Sequence, residues 1–269
     1  MANKKQMEGE VFYPSEEVVA QARLKDWDAL AERAHKDLQG FWADEARELE
    51  WYKPWDKVLD DSNKPFFKWF VGAKTNIVHN AVDRHLTTHR KNQLALIWES
   101  EDGKLDRSFS YYSMNREVSR FANIIKSMGI QKGERVTIYM GRIPEIVFAM
   151  LACAKIGAIH SVVFGGFSVD SLQGRIDDSQ SKLVITCDGS YQNGKIVELK
   201  NMVDEAVKKC PSVENMIVVK RTGQPVNMEA GRDHWYHDLC SLPIANGKCA
   251  TEVLDAEDPL FILYTSGST

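Results

Sequence analysis

Long apolar stretches alternate with amphipathic stretches through the second half of the chain. Continuous apolar runs predict buried strands, and apolar residues spaced three and four apart predict helices between them. The predicted strands are residues 135–140, 159–164, 182–187, 215–219 and 260–264, and the predicted helices are residues 113–128, 144–157, 169–178 and 195–210. Strands that are apolar on both sides and alternate with helices are typical of a parallel sheet. We therefore predict an α/β fold, a layered parallel sheet with helices on both faces.

The first part of the chain follows a mostly helical pattern. Ser15 is a suitable N-cap for a short helix that reaches Arg23, and apolar residues at helical spacing predict further helices over residues 26–41 and 76–89. Two short strands are predicted next, at residues 94–99 and 108–112, and a polar, turn-rich excursion over residues 221–249. We interpret residues 1–90 as a helical N-terminal region and residues 91–269 as a second domain.

Composition and charge exclude several classes of function. The net charge is -4 and the pI is about 6.0, whereas a nucleic-acid surface would need a clustered basic face. The most apolar stretch, residues 143–167, contains Glu145, Lys155 and His160, which is incompatible with a membrane span. Residues 1–10 are too polar for a signal peptide, and the five cysteines form no C-x-x-C pair. We therefore expect reduced thiols in a cytoplasmic protein without nucleic-acid or membrane partners.

The histidines do not form a recognisable metal motif. His85 and His89 lie four residues apart, but no acidic residue stands between them as in H-E-x-x-H. His234 and His237 lie three apart, without cysteines at metal-site spacing. We predict no metal ligand within the chain, and we assign no catalytic side chain to it.

Five small residues follow the predicted strand 260–264, namely Thr265, Ser266, Gly267, Ser268 and Thr269. A turn of this composition exposes backbone N–H groups and hydroxyl donors, which suits it to hold phosphate oxygens. Gly267 has no side chain, so a phosphate can approach its backbone closely. An ordinary Ser/Thr-rich loop after a strand is an equally good interpretation of the composition alone.

A second glycine-rich segment, residues 189–195, matches the start of the G-x-x-x-x-G-K-[ST] motif of P-loop nucleotide-binding proteins. It follows a predicted strand and precedes the predicted helix 195–210. The next residue, Ile196, cannot supply the hydroxyl that such loops place on magnesium. A helix N-terminus beside Lys195 could still bind an anion, and a plain helix start capped by Asn193 is the alternative.

Two adjacent glycines, Gly165 and Gly166, follow the predicted strand 159–164. Ligands gather at the carboxyl ends of strands in open parallel sheets, and glycines allow close approach to the backbone. A tight turn in which Ser168 caps the following helix is equally compatible with this segment.

Several segments resemble the adenylate-forming enzymes, and most closely their acetyl-CoA synthetase branch. Residues 257–269 (EDPLFILYTSGST) are similar to the approach to that family's phosphate-loop motif. The other similar segments are residues 69–72 (WFVG), 83–85 (DRH), 133–140 (GERVTIYM), 150–158 (MLACAKIGA), 160–168 (HSVVFGGFS) and 231–233 (GRD). The resemblance covers nearly the whole chain from Trp69, and the motifs occur in the family's order.

The resemblance implies a two-step ligase reaction. A carboxylate, acetate in this branch, attacks the α-phosphate of ATP and releases pyrophosphate, with Mg²⁺ as a cofactor whose ligands are expected beyond Thr269. The thiol of CoA then attacks the acyl-adenylate, which gives acyl-CoA and AMP. Positioning and charge stabilisation dominate such chemistry. The implied partners are therefore the small molecules acetate, ATP and CoA.

The resemblance also implies which residues bind substrates. The loop that matches Thr265 to Thr269 holds the β- and γ-phosphates of ATP in the family. The segment implied to bind CoA comprises Gln192, Asn193, Gly194 and Lys195, together with the turn at Gly165 and Gly166. The family carries arginine at the positions of Gln192 and Lys195. Gln192 lacks the charge and the bidentate grip of arginine, so the resemblance implies weaker binding of the CoA 3′-phosphate or its binding through Lys195.

In the family, the motif continues after the position of Thr269 with further glycine and lysine residues. We therefore expect the chain to be an N-terminal fragment that requires a C-terminal half in the same polypeptide, and we expect these 269 residues alone not to adenylate acetate. Two alternatives remain open. One is a propionyl-CoA or other short-chain acyl-CoA synthetase, and the other is a non-catalytic remnant that binds CoA or a nucleotide.

Overall fold

A computed structural model describes residues 13–265 of the protein. The chain divides into two compact units, Met1–Leu49 and Glu50–Thr269. The predicted domain division at residue 90 stays a prediction. Among the helices described, none combines the length and the apolar character that crossing a membrane requires.

The described part of the first unit contains three short helices, α1 (Glu16–Gln21), α2 (Trp27–Lys36) and α3 (Leu38–Ala46). Ser15 caps α1 as predicted, because its hydroxyl accepts a hydrogen bond from the N–H of Val18. The prediction of one helix over residues 26–41 is wrong. Asp37 leaves the helical backbone at φ -144° and ends α2, and its carboxylate caps α3 by accepting from the N–H of Gly40 at 2.9 Å.

The second unit begins with short elements in antiparallel pairs. They are β1 (Lys57–Asp60), β2 (Lys68–Val71), β3 (Lys74–Thr75), α4 (Ile77–Ala81), β4 (Leu94–Glu99) and β5 (Asp106–Ser110). β1 pairs with β2, and β4 pairs with β5. The helix predicted over residues 76–89 is limited to α4, because Val82 departs from helical geometry and two 3₁₀ turns, Asp83–Thr87 and His89–Asn92, follow.

A parallel sheet forms the centre of the second unit. The remaining elements are α5 (Tyr111–Ser127), β6 (Arg135–Met140), α6 (Pro144–Lys155), β7 (Ile159–Phe164), α7 (Val169–Ser179), β8 (Leu183–Cys187), β9 (Ser190–Gln192), β10 (Lys195–Val197), α8 (Leu199–Val207), β11 (Asn215–Val219), β12 (Asp233–Trp235), α9 (Tyr236–Cys240), β13 (Leu254–Asp255) and β14 (Phe261–Ile262). Six strands lie in the order β12–β11–β8–β6–β7–β14, and every neighbouring pair is parallel. The predicted parallel sheet is confirmed.

The strand order places helices on both faces of the sheet, as predicted. The chain passes from β6 to β7 on one side, and then from β7 to β8 on the other side of β6. Because parallel crossovers are right-handed, this change of direction puts α6 on one face and α7 and α8 on the other. Helix α5 packs against α6, and α7 packs against α8. The strands between them, β6 and β8, are almost entirely buried.

Two further predictions, for residues 195–210 and 221–249, are wrong. The helix predicted over residues 195–210 is shorter, because residues 190–197 form the antiparallel hairpin β9–β10 and α8 begins only at Leu199. The excursion predicted over residues 221–249 returns to the sheet, where β12 pairs with β11, and then forms α9.

Two lysines lie inside this unit, and both are paired with carboxylates. Lys155 is 2% exposed, and its Nζ lies 3.0 Å from Asp83 Oδ1. Lys200 is fully buried, with its Nζ 2.8 Å from Asp233 Oδ2 and 2.7 Å from Asp204 Oδ1. A buried charge is tolerated only when it is paired and hydrogen-bonded, so each ion pair ties distant parts of the chain together.

The substitution Asp83→Ala tests the first of these pairs. It leaves the Lys155 ammonium buried without its carboxylate, and we expect it to lower the free energy of unfolding by about 3 kcal/mol. Urea denaturation followed by circular dichroism measures this change. The control is Asp61→Ala, which removes an exposed partner of Lys64 and is expected to change stability little. Equal losses in the two variants would contradict a stabilising role for the buried pair.

Candidate functional site

The carboxyl ends of the parallel strands meet at one edge of the sheet, and the predicted ligand-binding segments follow three of these strands, β7, β8 and β14. The chain changes direction between β6 and β8, which is the kind of position where open α/β sheets bind ligands. The loops after these two strands approach each other closely. A Cβ atom on Gly141 would lie 2.2 Å from the hydroxyl of Ser190, so this position requires glycine.

The hairpin β9–β10 carries the residues that the resemblance implied for CoA. Asn193 and Gly194 form its two-residue turn with φ of 51° and 71°, the backbone that favours an Asn-Gly pair. Gln192 and Lys195 lie opposite each other in register, and both are exposed. The tip of the hairpin is bound to the turn between β4 and β5, because the N–H of Gly194 donates to Glu101 Oε1 at 3.2 Å.

The same hairpin contradicts the P-loop hypothesis. Such a loop needs a helix that begins at the lysine of the motif, so that the N-terminal N–H groups face the phosphates. Lys195 instead begins strand β10, and the next helix starts four residues later. The alternative of a helix start capped by Asn193 is wrong for the same reason.

The turn at Gly165 and Gly166 lies beside β6. Tyr139 fixes it from below, because its hydroxyl donates to the carbonyl of Phe167 at 2.9 Å. Burial raises the pKa of Tyr139 to about 12, so the hydroxyl keeps its proton and remains a donor. A Cβ on Gly165 would lie 3.1 Å from the carbonyl oxygen of Met140, so the turn packs tightly on the end of β6. Ser168 also caps α7, as the alternative interpretation expected.

The segment before the predicted phosphate loop lies at the sheet edge. Strand β14 pairs with β7, but Phe261 and Leu263 are 53% and 67% exposed, so the prediction of a buried strand is wrong for the described part of the chain. Thr265 follows at the carboxyl edge. The other four residues of the predicted loop, Ser266, Gly267, Ser268 and Thr269, lie outside the described residues.

Asp188 organises this edge, although the sequence did not single it out. Its fully buried carboxylate accepts hydrogen bonds from the N–H groups of Gly189, Arg221, Thr222 and Gly223, at 2.6–3.2 Å. It therefore joins the end of β8 to the loop after β11. The only available signal was its position directly after a buried strand, which many turn residues share.

Arg221 extends this arrangement toward the hairpin. Its guanidinium lies 5.1 Å from the ring centroid of Trp98 on β4 and 5.0 Å from that of Tyr191 on β9. A planar cation between two aromatic faces is attracted by both. The stack connects the β4–β5 and β9–β10 hairpins at the point where Gln192 and Lys195 are presented.

A small cavity of about 210 Å³ opens next to this stack, between β5, the start of α6 and the end of β11. Its charged lining residues are Asp106, Arg107, Glu145, Lys220 and Arg221, three basic against two acidic. Arg107 and Glu145 pair at 2.6 Å. The remaining excess of positive charge suits a ligand that carries phosphate.

The structure therefore brings the two segments implied for CoA to either side of β6, one beside Met140 and the other beside Gly141. The beginning of the predicted phosphate loop lies beyond β7, at the same edge. Within residues 13–265, histidine, cysteine and acidic side chains form no group of three or more suited to a metal ion.

Comparison with known proteins identifies two adjoining family matches. Residues 82–269 match the family described as AMP-binding enzyme, and residues 27–81 match the family described as acetyl-coenzyme A synthetase N-terminus. The chain is 44% identical over 261 residues to the acetyl-coenzyme A synthetase of Chlorobaculum tepidum, with 96% of this chain and 39% of the relative covered. It is 51% identical over 243 residues to that of Parvibaculum lavamentivorans, with 89% of this chain and 37% of the relative covered. The chain thus spans about two fifths of the length of these relatives.

Among solved structures, acetoacetyl-CoA synthetase from Streptomyces lividans has a similar fold. The TM-score is 0.83 at 24% identity, and the match covers 94% of this chain and 41% of that protein. At this level of identity the likeness concerns the fold alone.

The substitution Asp188→Asn tests the organising role of this carboxylate. It places an NH₂ group against backbone N–H donors, and we expect a loss of about 2 kcal/mol in the free energy of unfolding. Amide hydrogen exchange at Thr222 and Gly223 should become faster. The control Asp238→Asn changes a carboxylate that is 71% exposed. If Asp188→Asn is no less stable than this control, Asp188 does not hold the edge together.

The buried histidine on β7 gives a pH-dependent prediction. Burial lowers the pKa of His160 from 6.5 to about 4, and its Nδ1 has no hydrogen-bond partner among the described residues. Between these two pH values the unfolded chain binds a proton at His160 and the folded chain does not. The free energy of unfolding therefore falls as the pH decreases from 6.5 towards 4. Between pH 7 and pH 5 this group should remove about 2 kcal/mol of stability.

Urea denaturation of the unmodified chain and of His160→Leu at both pH values measures this contribution. Leucine cannot be protonated, so the variant should lose less stability on acidification than the unmodified chain. Parallel pH profiles for the two proteins would show that His160 is not the responsible group.

Proposed function

The chain belongs to the AMP-binding enzyme family, and on this basis we propose that the protein ligates acetate to CoA with conversion of ATP to AMP and pyrophosphate. The activity is proposed for a polypeptide of the length that the relatives have. The two adjoining family matches, AMP-binding enzyme and acetyl-coenzyme A synthetase N-terminus, carry the proposal because they cover residues 27–269 in that branch's order.

The proposed reaction has two steps. An acetate oxygen attacks the α-phosphorus of ATP, the bond to the β-phosphate oxygen breaks, and acetyl-adenylate and pyrophosphate form. The sulfur of CoA then attacks the acetyl carbon, AMP leaves with the electrons of the broken C–O bond, and the thiol proton passes to solvent. Little covalent chemistry is required of protein side chains, so the residues of this chain act by holding the reactants in line.

We assign the loop from Thr265 to Thr269 to the β- and γ-phosphates of ATP. The support is chemical: Thr265 follows the parallel strand β14 at the carboxyl edge, and hydroxyl-rich turns at such an edge offer several N–H and O–H donors. Mg²⁺ is expected to accompany ATP in this family. Within residues 13–265, histidine, cysteine and acidic side chains form no cluster suited to ligating it.

We assign CoA to the Gly165–Gly166 turn and the hairpin β9–β10, which lie on either side of the end of β6. The two glycines present backbone rather than side chains at the carboxyl edge, beside the end of β6. The exposed Lys195 at the hairpin supplies a positive charge for a phosphate, and Gln192 opposite it supplies neutral hydrogen-bonding groups. The positive excess around Arg221 and Lys220 lies beside the same hairpin.

We also propose a cytoplasmic location. All five cysteines fall within the described residues and are free thiols. Burial raises the pKa of Cys153 and of Cys187 to about 12, which keeps both in the unreactive thiol form.

The function is tested in the complete protein by two assays. Acetate-dependent exchange of pyrophosphate into ATP reports the first step, and CoA-dependent formation of AMP reports the second. In the substitution Lys195→Ala, we expect the KM for CoA to rise by about tenfold because a charged contact to phosphate is lost. The exchange reaction should not change.

Lys209→Ala is the matched control, since Lys209 is an exposed lysine near the end of α8. Loss of ATP binding in Lys195→Ala would favour a nucleotide site at the hairpin instead. Faster reaction with propionate than with acetate would identify another short-chain acyl-CoA synthetase. Binding of CoA or ATP without any exchange would identify a non-catalytic remnant.

A further inference from the structure

Arg175 on α7 is a buried cation outside the residues assigned so far. It is 5% exposed, and within residues 13–265 no carboxylate forms an ion pair with it. Its Nη1 donates to the carbonyl and the hydroxyl of Ser171, one turn earlier on the same helix, at 2.8 and 2.5 Å. Buried charges are normally paired with an opposite charge, so this guanidinium needs another source of stabilisation.

Two aromatic rings provide it. The guanidinium carbon lies 4.7 Å from the ring centroid of Phe167 and 5.1 Å from that of Tyr264. Both rings offer the negative face of a π-system to the cation. Phe167 belongs to the turn that follows β7, and Tyr264 stands directly before Thr265. One side chain therefore touches both the turn that contains Gly165 and Gly166 and the start of the predicted phosphate loop.

Phe167, through its backbone, and Tyr264, through its hydroxyl, also have anchors other than Arg175. The carbonyl of Phe167 accepts from Tyr139, and the hydroxyl of Tyr264 donates to Asp178 on α7. Burial, together with the hydrogen bond to Asp178, raises the pKa of Tyr264 to about 12, so this hydroxyl stays protonated as a donor. Helix α7 thus holds the end of β14 through two side chains, Arg175 and Asp178, that lie three residues apart on one face.

We propose that Arg175 is a positioning residue that sets the CoA-binding turn and the start of the ATP phosphate loop, at Tyr264 and Thr265, in a fixed relation. This inference rests on the proposed function, because it assumes that these two segments bind CoA and ATP. A guanidinium in contact with both rings limits how far one ring can move relative to the other. The start of the phosphate loop, at Tyr264, and the turn that receives the incoming thiol, at Phe167, therefore keep their distance from each other through both steps.

The test uses the complete protein with Arg175→Met and Arg175→Lys. Methionine keeps an unbranched chain between the rings but removes the charge, whereas lysine keeps the charge but removes the flat stacking surface. Arg120→Met is the control, a partly buried arginine on α5 that pairs with Glu117 at 2.7 Å. The KM for ATP is measured in the exchange assay, the KM for CoA in AMP formation, and the melting temperature of each variant is recorded.

We expect Arg175→Met to raise both KM values by about tenfold or more, as misplaced binding groups do. Its melting temperature should match that of Arg120→Met, and Arg175→Lys should recover only part of the loss. Unchanged KM values, a rise for one substrate alone, or a rise that follows loss of folded protein would each overturn the inference.

Calorimetric titration of ATP and of CoA keeps this test separate from the proposed function. If the unmodified protein shows no acetate-dependent exchange, the proposed function is wrong, regardless of the results for the Arg175 variants. The inference is then decided by affinity alone: weaker binding of both ligands to Arg175→Met supports it, and equal affinities or no binding to the unmodified protein overturn it.

Discussion

The buried carboxylate of Asp188 is the interaction on which the carboxyl edge of the sheet depends. Backbone N–H groups from the end of β8 and from the loop after β11 converge on it. The hydrogen bond from the N–H of Arg221 to Asp188 fixes the backbone at Arg221. The guanidinium of Arg221 lies over the rings of Trp98 and of Tyr191, the latter on the hairpin β9–β10. Within residues 13–265 this carboxylate forms no ion pair with a side-chain cation, and it is satisfied by peptide N–H groups instead. Fixed peptide donors hold the backbone more strictly than a mobile ion pair would.

Around this edge, the site is built from turns that only the strand order brings together. Gly141 touches Ser190, and Gly165 packs on Met140, because β6 lies between β7 and β8. Neither contact can be read from local sequence, since the partners are 49 and 25 residues apart along the chain. The glycines could be identified as sites of close approach, but their partners could not.

The sequence predicted most of the sheet correctly, because its strands are apolar on both sides. Residues 135–140, 159–164 and 215–219 form strands with the predicted bounds. The hairpin at Asn193 and Gly194 was missed, because the amphipathic pattern of α8 extends back over it, although Asn-Gly is itself a strong hairpin signal. Strand β12 was missed because it is three residues long and only half-buried, and because Asp233, whose side chain is enclosed by Lys200 and Arg232, is polar.

The burial of Lys155 and Lys200 makes their reactivity different from that of the surface lysines. Reagents that acylate lysine need an accessible, deprotonated amine, and the side chains of Lys155 and Lys200 are 2% and 0% exposed and engaged by carboxylates. In a mass spectrum of the acylated protein, these two positions stay unlabelled while the chain is folded. Each becomes labelled only when its own surroundings open, Lys155 with the 3₁₀ turn at Asp83 and Lys200 with β12. The protein therefore contains two separate internal reporters of local unfolding.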